Sequence, residues 1–230
     1  MLDTVIVSDL HYGDKRCNLD AVGMLFDSIK EAEMLIIAGD LLDSWWTSTW
    51  DFNALRAVLG RLHTERRVII QGNHDPENLG ELLADNDIGG VADYVVVHGK
   101  NGDYAVVHGH SYDYYLAQYS WLVRMGFWLQ KFCITKFNVD FSLLRKFSVS
   151  ARNRSWYFKR YLSDSLRSMR QDYAGKAGVI CGHTHYPLYL NMDGGFEYIN
   201  SGDVLESFTY VVVDADGNIS LRGFYPEAAL

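Results

Sequence analysis

The apolar runs in the first third of the chain are short, rich in β-branched residues and cut off abruptly by polar ones. Thr4-Val5-Ile6-Val7 stops at Ser8-Asp9-Leu10-His11, Met34-Leu35-Ile36-Ile37-Ala38 at Gly39-Asp40, and Val68-Ile69-Ile70 at Gln71-Gly72-Asn73-His74-Asp75. Runs of this length and composition predict buried strands. Between the first two, Val22, Leu25, Phe26 and Ile29 recur at helical spacing and predict a helix over about Leu19 to Lys30; a second is expected over roughly Trp50 to Leu62. Strand alternating with helix predicts parallel βαβ units, and in such sheets the ligand crevice lies at the carboxyl ends of the strands. The polar endings are therefore expected to converge.

A short helix over about Glu77 to Asp85 leads into a β-rich second half. Tyr94–His98 and Tyr104–His108 flank Gly99-Lys100-Asn101-Gly102-Asp103, whose Asn-Gly pair suits a tight hairpin. The second of these strands ends in His108-Gly109-His110, whereas His98 beside the turn and His63 at a helix end read as ordinary surface positions. From Tyr112 to about Tyr173 aromatics and Lys/Arg interleave at helical spacing, among them Trp121, Trp128, Phe147, Trp156 and Tyr161. Two to four inserted helices are expected there. The main fold then resumes with Ala177–Cys181, which ends in Gly182-His183-Thr184-His185, followed by strands at Phe196–Asn200 and Phe208–Val213 and a turn at Asp216-Gly217 into Ile219–Leu221.

At 230 residues, 48% of them apolar, the chain suits one substantial domain, or one domain carrying a large insertion. The formal charge of -8 is unevenly spread. Tyr112 to Lys176 holds twelve Lys/Arg against four Asp and no Glu, so this stretch is +8 and the remainder -16. A basic, aromatic segment in an acidic protein suits a cap or a surface that meets an anion, a membrane face included. Cys17, Cys133 and Cys181 are scattered without C-x-x-C spacing, which fits a reducing compartment. With no basic leader ahead of an apolar stretch, the expected location is the cytoplasm, at most peripheral to the inner membrane face.

The strand ends together supply Asp9, His11, Asp40, Asn73, His108, His183 and His185. Taken singly, Gly72-Asn73-His74-Asp75 reads as a turn; in this company it reads as part of a metal site. Two divalent ions sharing one carboxylate form an arrangement that activates a nucleophile and clamps a phosphoryl group. A mixed imidazole and oxygen set suits Mn, Fe, Zn, Ni or Co better than Mg or Ca.

Asp-x-His, Gly-Asp, Gly-Asn-His-Asp, His-Gly-His and Gly-His-Thr-His, in this order at strand ends, resemble the signature of the calcineurin-like metallophosphoesterases. The resemblance implies an α/β fold, a four-layer α/β/β/α sandwich of two mixed sheets, as one domain over 1–230 with a helical cap inserted at 112–173. It implies two divalent ions, Mn foremost. One would lie on Asp9, His11, Asp40 and His185, the other on Asp40, Asn73, His108 and His183. His74 would serve the leaving oxygen as acid, oriented by Asp75, and His110 would belong to the substrate or to the layer behind the ligands.

A narrower resemblance lies in Gly39-Asp40-Leu41-Leu42-Asp43-Ser44-Trp45-Trp46, in the helical insertion, and in Asn200-Ser201-Gly202-Asp203-Val204-Leu205-Glu206-Ser207. These are similar to the UDP-2,3-diacylglucosamine diphosphatases of lipid A synthesis, which implies a diphosphate-linked lipid substrate. His74 stands where that branch carries Arg, which keeps open a hydrolase of nucleotides or small phosphodiesters. A nuclease gripping phosphates with the basic insertion, and a non-catalytic interaction module, are the remaining readings; nucleic acid is not the expected partner.

Overall fold

The computed structural model describes residues 2–113, 125, 136 and 156–224. Its elements are β1 (Leu2–Val7), α1 (Leu19–Ile29), β2 (Glu31–Ala38), α2 (Phe52–Leu59), β3 (His63–Ile70), α3 (Leu79–Asp85), β4 (Gly90–Ala92), β5 (Val95–Gly99) and β6 (Gly102–Val106). After a 3-10 turn at His110–Tyr112 come α4 (Trp156–Asp172), β7 (Gly178–Cys181), β8 (Leu188–Asn191), β9 (Glu197–Asn200), β10 (Thr209–Asp214) and β11 (Ile219–Gly223). The chain divides into two compact units, Met1–Gly109 with Tyr173–Leu230, and His110–Asp172. Of the inserted helices expected from the sequence, α4 falls in the second unit; the expectation for Trp121, Trp128 and Phe147 lies outside the described residues.

The first unit is an α/β fold of two mixed sheets, in the orders β11-β10-β1-β2-β3-β4 and β5-β6-β7-β9-β8. β1, β2 and β3 pair in parallel, as the alternation of strands and helices predicts, and so do β6, β7 and β9. Helices α1 and α2 start where a side chain meets the unpaired N–H groups of the first turn: Asn18 accepts from Ala21 N–H ahead of α1, and Asp51 from Asn53 and Ala54 N–H ahead of α2. Alternate strand residues then face two cores. Val5, Val7, Leu35, Ile37 and Ile69 pack with Val22, Phe26, Leu55 and Leu59 of the helices. Ile6, Ile36 and Ile70 pack instead with Val106, Ile180 and Ile199 of the other sheet. Burial on both faces is why these strands read as continuous apolar runs.

Three local expectations need correction. The helix expected to reach Leu62 ends at Leu59, and His63 opens β3 instead of closing a helix. The first half of β3, His63-Thr64-Glu65-Arg66-Arg67, is polar because β4 pairs only with Val68–Ile70 and leaves the preceding residues at the sheet edge. β4 and β8 add two strands to those that the apolar pattern predicts. β4 has three residues, and β8 is an edge strand of alternating exposure, so neither carries a strong apolar signal. Among the described residues, no helix is long and apolar enough to cross a membrane.

Leu35 is fully buried in the helix-facing core. Leu35→Ala is expected to lower unfolding free energy by about 2–5 kcal/mol, the range for a large-to-small change in a packed core. A loss well under 1 kcal/mol in urea denaturation would contradict this packing.

Candidate metal centre

The turns after β1, β2, β3, β6 and β7 carry the candidate ligands. Asp9, His11, Asp40, His183 and His185 all take a positive φ, between 48° and 67°, which is uncommon for residues other than glycine. Such backbone persists only where its surroundings over-determine it. Here the turns brace each other: Asp9 N–H donates to the Gly39 carbonyl at 3.0 Å, His11 N–H to the Asp40 carbonyl at 2.8 Å, and Gly182 N–H to the His108 carbonyl at 3.1 Å. The Gly of Gly-Asn-His-Asp has a steric reason, because a Cβ on Gly72 would lie 2.1 Å from Asp40 Oδ1.

Each central carboxylate spends one oxygen on a backbone N–H and turns the other inward. Asp9 Oδ2 accepts from His183 N–H at 3.0 Å, and Asp40 Oδ1 accepts from His74 N–H at 2.8 Å. The inward oxygens face imidazoles. Asp9 Oδ1 lies 3.3 Å from His185 Nε2 and 3.7 Å from His11 Nε2; Asp40 Oδ2 lies 3.3 Å from His108 Nε2 and 3.6 Å from His11 Nε2. The two rings of His11 and His185 meet Nε2 to Nε2 at 3.3 Å, and His108 Nε2 is 3.2 Å from Asn73 Oδ1. His183 sets its ring edge-on to His108, with centroids 5.2 Å apart.

The opposite ring nitrogens are tied down. His11 Nδ1 pairs with Asp43 Oδ2 at 3.0 Å, His185 Nδ1 with Asp203 Oδ2 at 2.8 Å, and His108 Nδ1 with the Ala38 carbonyl at 2.8 Å. A proton held at Nδ1 by each of these partners leaves the Nε2 lone pairs aimed at the inward oxygens. Acceptors then converge on acceptors, and only positive charge between them makes that favourable. Shared protons meet part of the need, but among the described residues Asp9 Oδ1, in a fully buried carboxylate, accepts no hydrogen bond. A buried acceptor left unmet costs about 1–3 kcal/mol, more when charged. A cation among these atoms removes that cost, and the sets Asp9/His11/His185, His11/Asp40/His74 and Asp9/Asp40/His108 each bring one donor atom per residue within 4.8 Å of the others. The donor chemistry fits a divalent metal.

The electrostatics agree. Burial is the largest influence on Asp9 and Asp40 and opposes their ionisation, but the neighbouring imidazoles, chiefly His185 for Asp9 and His108 for Asp40, outweigh it and hold both carboxyls below the usual range. Burial likewise disfavours charge on the histidines. It is outweighed at His11 by Asp43 and Asp9, which hold that ring well above its ordinary value, and at His108 by Asp40, which helps push it up to about 9.

Around His74 the structure departs from expectation. Both oxygens of Asp75 are engaged by backbone, accepting from Leu42 N–H at 2.7 Å and Gly72 N–H at 2.8 Å. Burial, and then the charge of Asp40, push its carboxyl up to about 7. Asp75 thus joins two turns and does not orient His74. The carboxylate beside His74 is Asp43, whose Oδ2 lies 3.3 Å from His74 Nδ1 and also serves His11. Asp43 and Asp203 are the site residues that the sequence reading missed. They lie within Gly39–Trp46 and Asn200–Ser207, and nothing in their spacing indicates which imidazole each would meet. His110 lies in the second unit, in the turn His110–Tyr112.

A family model described as calcineurin-like phosphoesterase matches residues 2–187. The chain belongs to the calcineurin-like phosphoesterase family. Its members use divalent metals, in keeping with the Asp/His groups above. A Thermotoga maritima protein solved by solution NMR shares 15% identity with a TM-score of 0.50, over 97% of this chain and 100% of that one. That likeness concerns the fold. Vps29 of Chaetomium thermophilum (12% identity, TM-score 0.49, 97% and 98% covered) and a Streptococcus pneumoniae protein described as a predicted phosphoesterase (14%, 0.44, 98% and 94%) are more distant in shape. Among curated proteins the sequence finds no significant match.

Two outcomes are expected. Metal ions bind deprotonated imidazole, and in the metal-free protein His108 keeps its proton until about pH 9. Metal binding at pH 7 should therefore release protons, and apparent affinity should rise with pH; calorimetry in buffers of different ionisation enthalpy reads the release, and none at pH 7 would contradict this picture. Asp203→Asn, which loosens His185, should weaken metal binding by about 10- to 100-fold, the usual effect of removing a partner behind a ligand.

Proposed function

We propose that this protein hydrolyses a phosphoester or diphosphate bond with two divalent ions, one held by Asp9, His11, Asp40 and His185, the other by Asp40, Asn73, His108 and His183. The observation that carries the reading is the convergence of Asp9 Oδ1, Asp40 Oδ2 and three imidazole Nε2 atoms on one another, with each imidazole tied behind at Nδ1. Asp40 contributes to both sets because its Oδ2 faces His11 on one side and His108 on the other. Bound divalent ions supply Lewis-acid stabilisation of phosphoryl oxygens and lower the pKa of water. Manganese suits the mixed nitrogen and oxygen donors.

The chain's own acid is His74. Its ring is largely buried beside the ligands, with Nδ1 turned to Asp43, so Nε2 is the atom assigned to deliver a proton to the leaving oxygen. For substrate, the segments around Asp43-Ser44-Trp45-Trp46 and Asn200–Ser207, with the basic aromatic insertion, support a UDP-2,3-diacylglucosamine-like diphosphate lipid and a peripheral membrane contact. His74 in place of arginine favours a second reading, a nucleotide or small phosphodiester.

With manganese supplied, Asn73→Ala and Asp40→Asn are expected to lose at least about 100-fold in turnover while keeping their circular dichroism, because each removes a group that holds the ions. Wild-type turnover in either variant would sink the two-ion reading. Hydrolysis of the diacylated UDP-sugar without the small diester bis-p-nitrophenyl phosphate supports the lipid substrate. Activity on the small diester alone supports the second reading, and no hydrolysis of any phosphoester would point to a non-catalytic module.

A further inference from the structure

Three consecutive residues grip His74, each by a different part. Asp43 Oδ2 lies 3.3 Å from its Nδ1. Ser44 donates twice to its carbonyl, from the backbone N–H at 2.9 Å and from Oγ at 2.7 Å. Trp45 lays its indole on the imidazole, with centroids 3.9 Å apart and planes 23° from parallel, while His11 meets the same ring edge-on at 4.6 Å and 83°. The carboxylate defines one point of the ring and the serine its backbone. Neither fixes rotation of the imidazole about the Asp43–Nδ1 direction, which decides where Nε2 points.

We propose that Trp45 is the positioning residue that sets the plane of His74, and so aims Nε2 at the leaving oxygen. A flat aromatic face at van der Waals distance restricts a five-membered ring to planes near parallel with it. An aliphatic side chain of similar bulk would fill the space without selecting a plane. The inference rests on His74 acting as the proton donor.

The test is a series of aryl phosphodiesters whose leaving phenols run from nitrophenol to unsubstituted phenol. An acidic nitrophenol departs without a proton, and phenol needs one, so the slope of turnover against leaving-group acidity reports proton delivery. Wild type is expected to show a shallow slope. His74→Ala should steepen it, losing about 100-fold or more on the phenyl ester. Trp45→Leu should also steepen it, with about tenfold greater loss on the phenyl than on the nitrophenyl ester, metal content unchanged, and recovery in Trp45→Phe. A second readout needs no turnover: in the metal-free protein the His74 ring protons, assigned by loss in His74→Gln, should be shifted upfield by the indole and lose that shift in Trp45→Leu.

A steeper slope for His74→Ala with an unchanged slope for Trp45→Leu overturns the role of Trp45 alone. An unchanged slope for His74→Ala overturns the reading of His74 as donor, and this inference with it. Should Trp45→Leu fail to fold, Trp45→Phe decides: loss of the upfield shift with the slope still shallow overturns the proposal, and retention of both supports it.

Discussion

Buried acceptors aimed at one another are the constraint on which this molecule turns. Asp9, Asp40, Asn73 and three imidazoles present lone pairs to a common space, an arrangement that repels itself unless positive charge lies within it. The surrounding protein is built to keep that repulsion in place. Parallel strands with both faces buried deliver the turns to one region, and mutual backbone hydrogen bonds hold those turns in conformations that an isolated peptide would avoid.

The same device recurs behind His11, His185 and His108. A carboxylate or carbonyl takes the Nδ1 side, from Asp43, Asp203 or Ala38, and leaves Nε2 directed inward. Two of these partners are further acids in an already acidic site. Asp43 remains ionised despite burial because His11 and His74 both face it, and Asp203 because His185 and three backbone N–H groups do. Asp43 has a double duty: one oxygen faces both His11 and His74, while its other oxygen accepts from the N–H groups of Trp45 and Trp46.

Asp75 shows how a conspicuous residue acquires a structural job. It follows His74 directly, yet its carboxylate joins the turn after β2 to the turn after β3 through Leu42 and Gly72 N–H. With Asp40 nearby, burial favours its protonated form up to about pH 7. Neighbours in sequence at a tight turn point to different sides, so adjacency in the motif does not translate into contact.

The sequence alone determined the parallel order of β1, β2 and β3 and the strand ends from which the site is assembled. Apolar runs long enough to be buried on both faces, each stopped by Asp, His or Asn and separated by an amphipathic helix, suit the inner strands of a parallel sheet and little else. It also carried the family, through five short motifs in order. What only the tertiary structure decided is which atoms meet. The edge strands β4 and β8 and the polar half of β3 are held by pairing on one side and show little apolar signal. The partnership of His74 with Asp43 rather than Asp75, and of His185, itself at a positive φ, with Asp203, is decided by how the turns meet, among them the close approach of Asp40 to Gly72 and its bond to His74 N–H. Side-chain direction at such turns is set by backbone angles that long-range hydrogen bonds impose, and residue spacing carries no record of them.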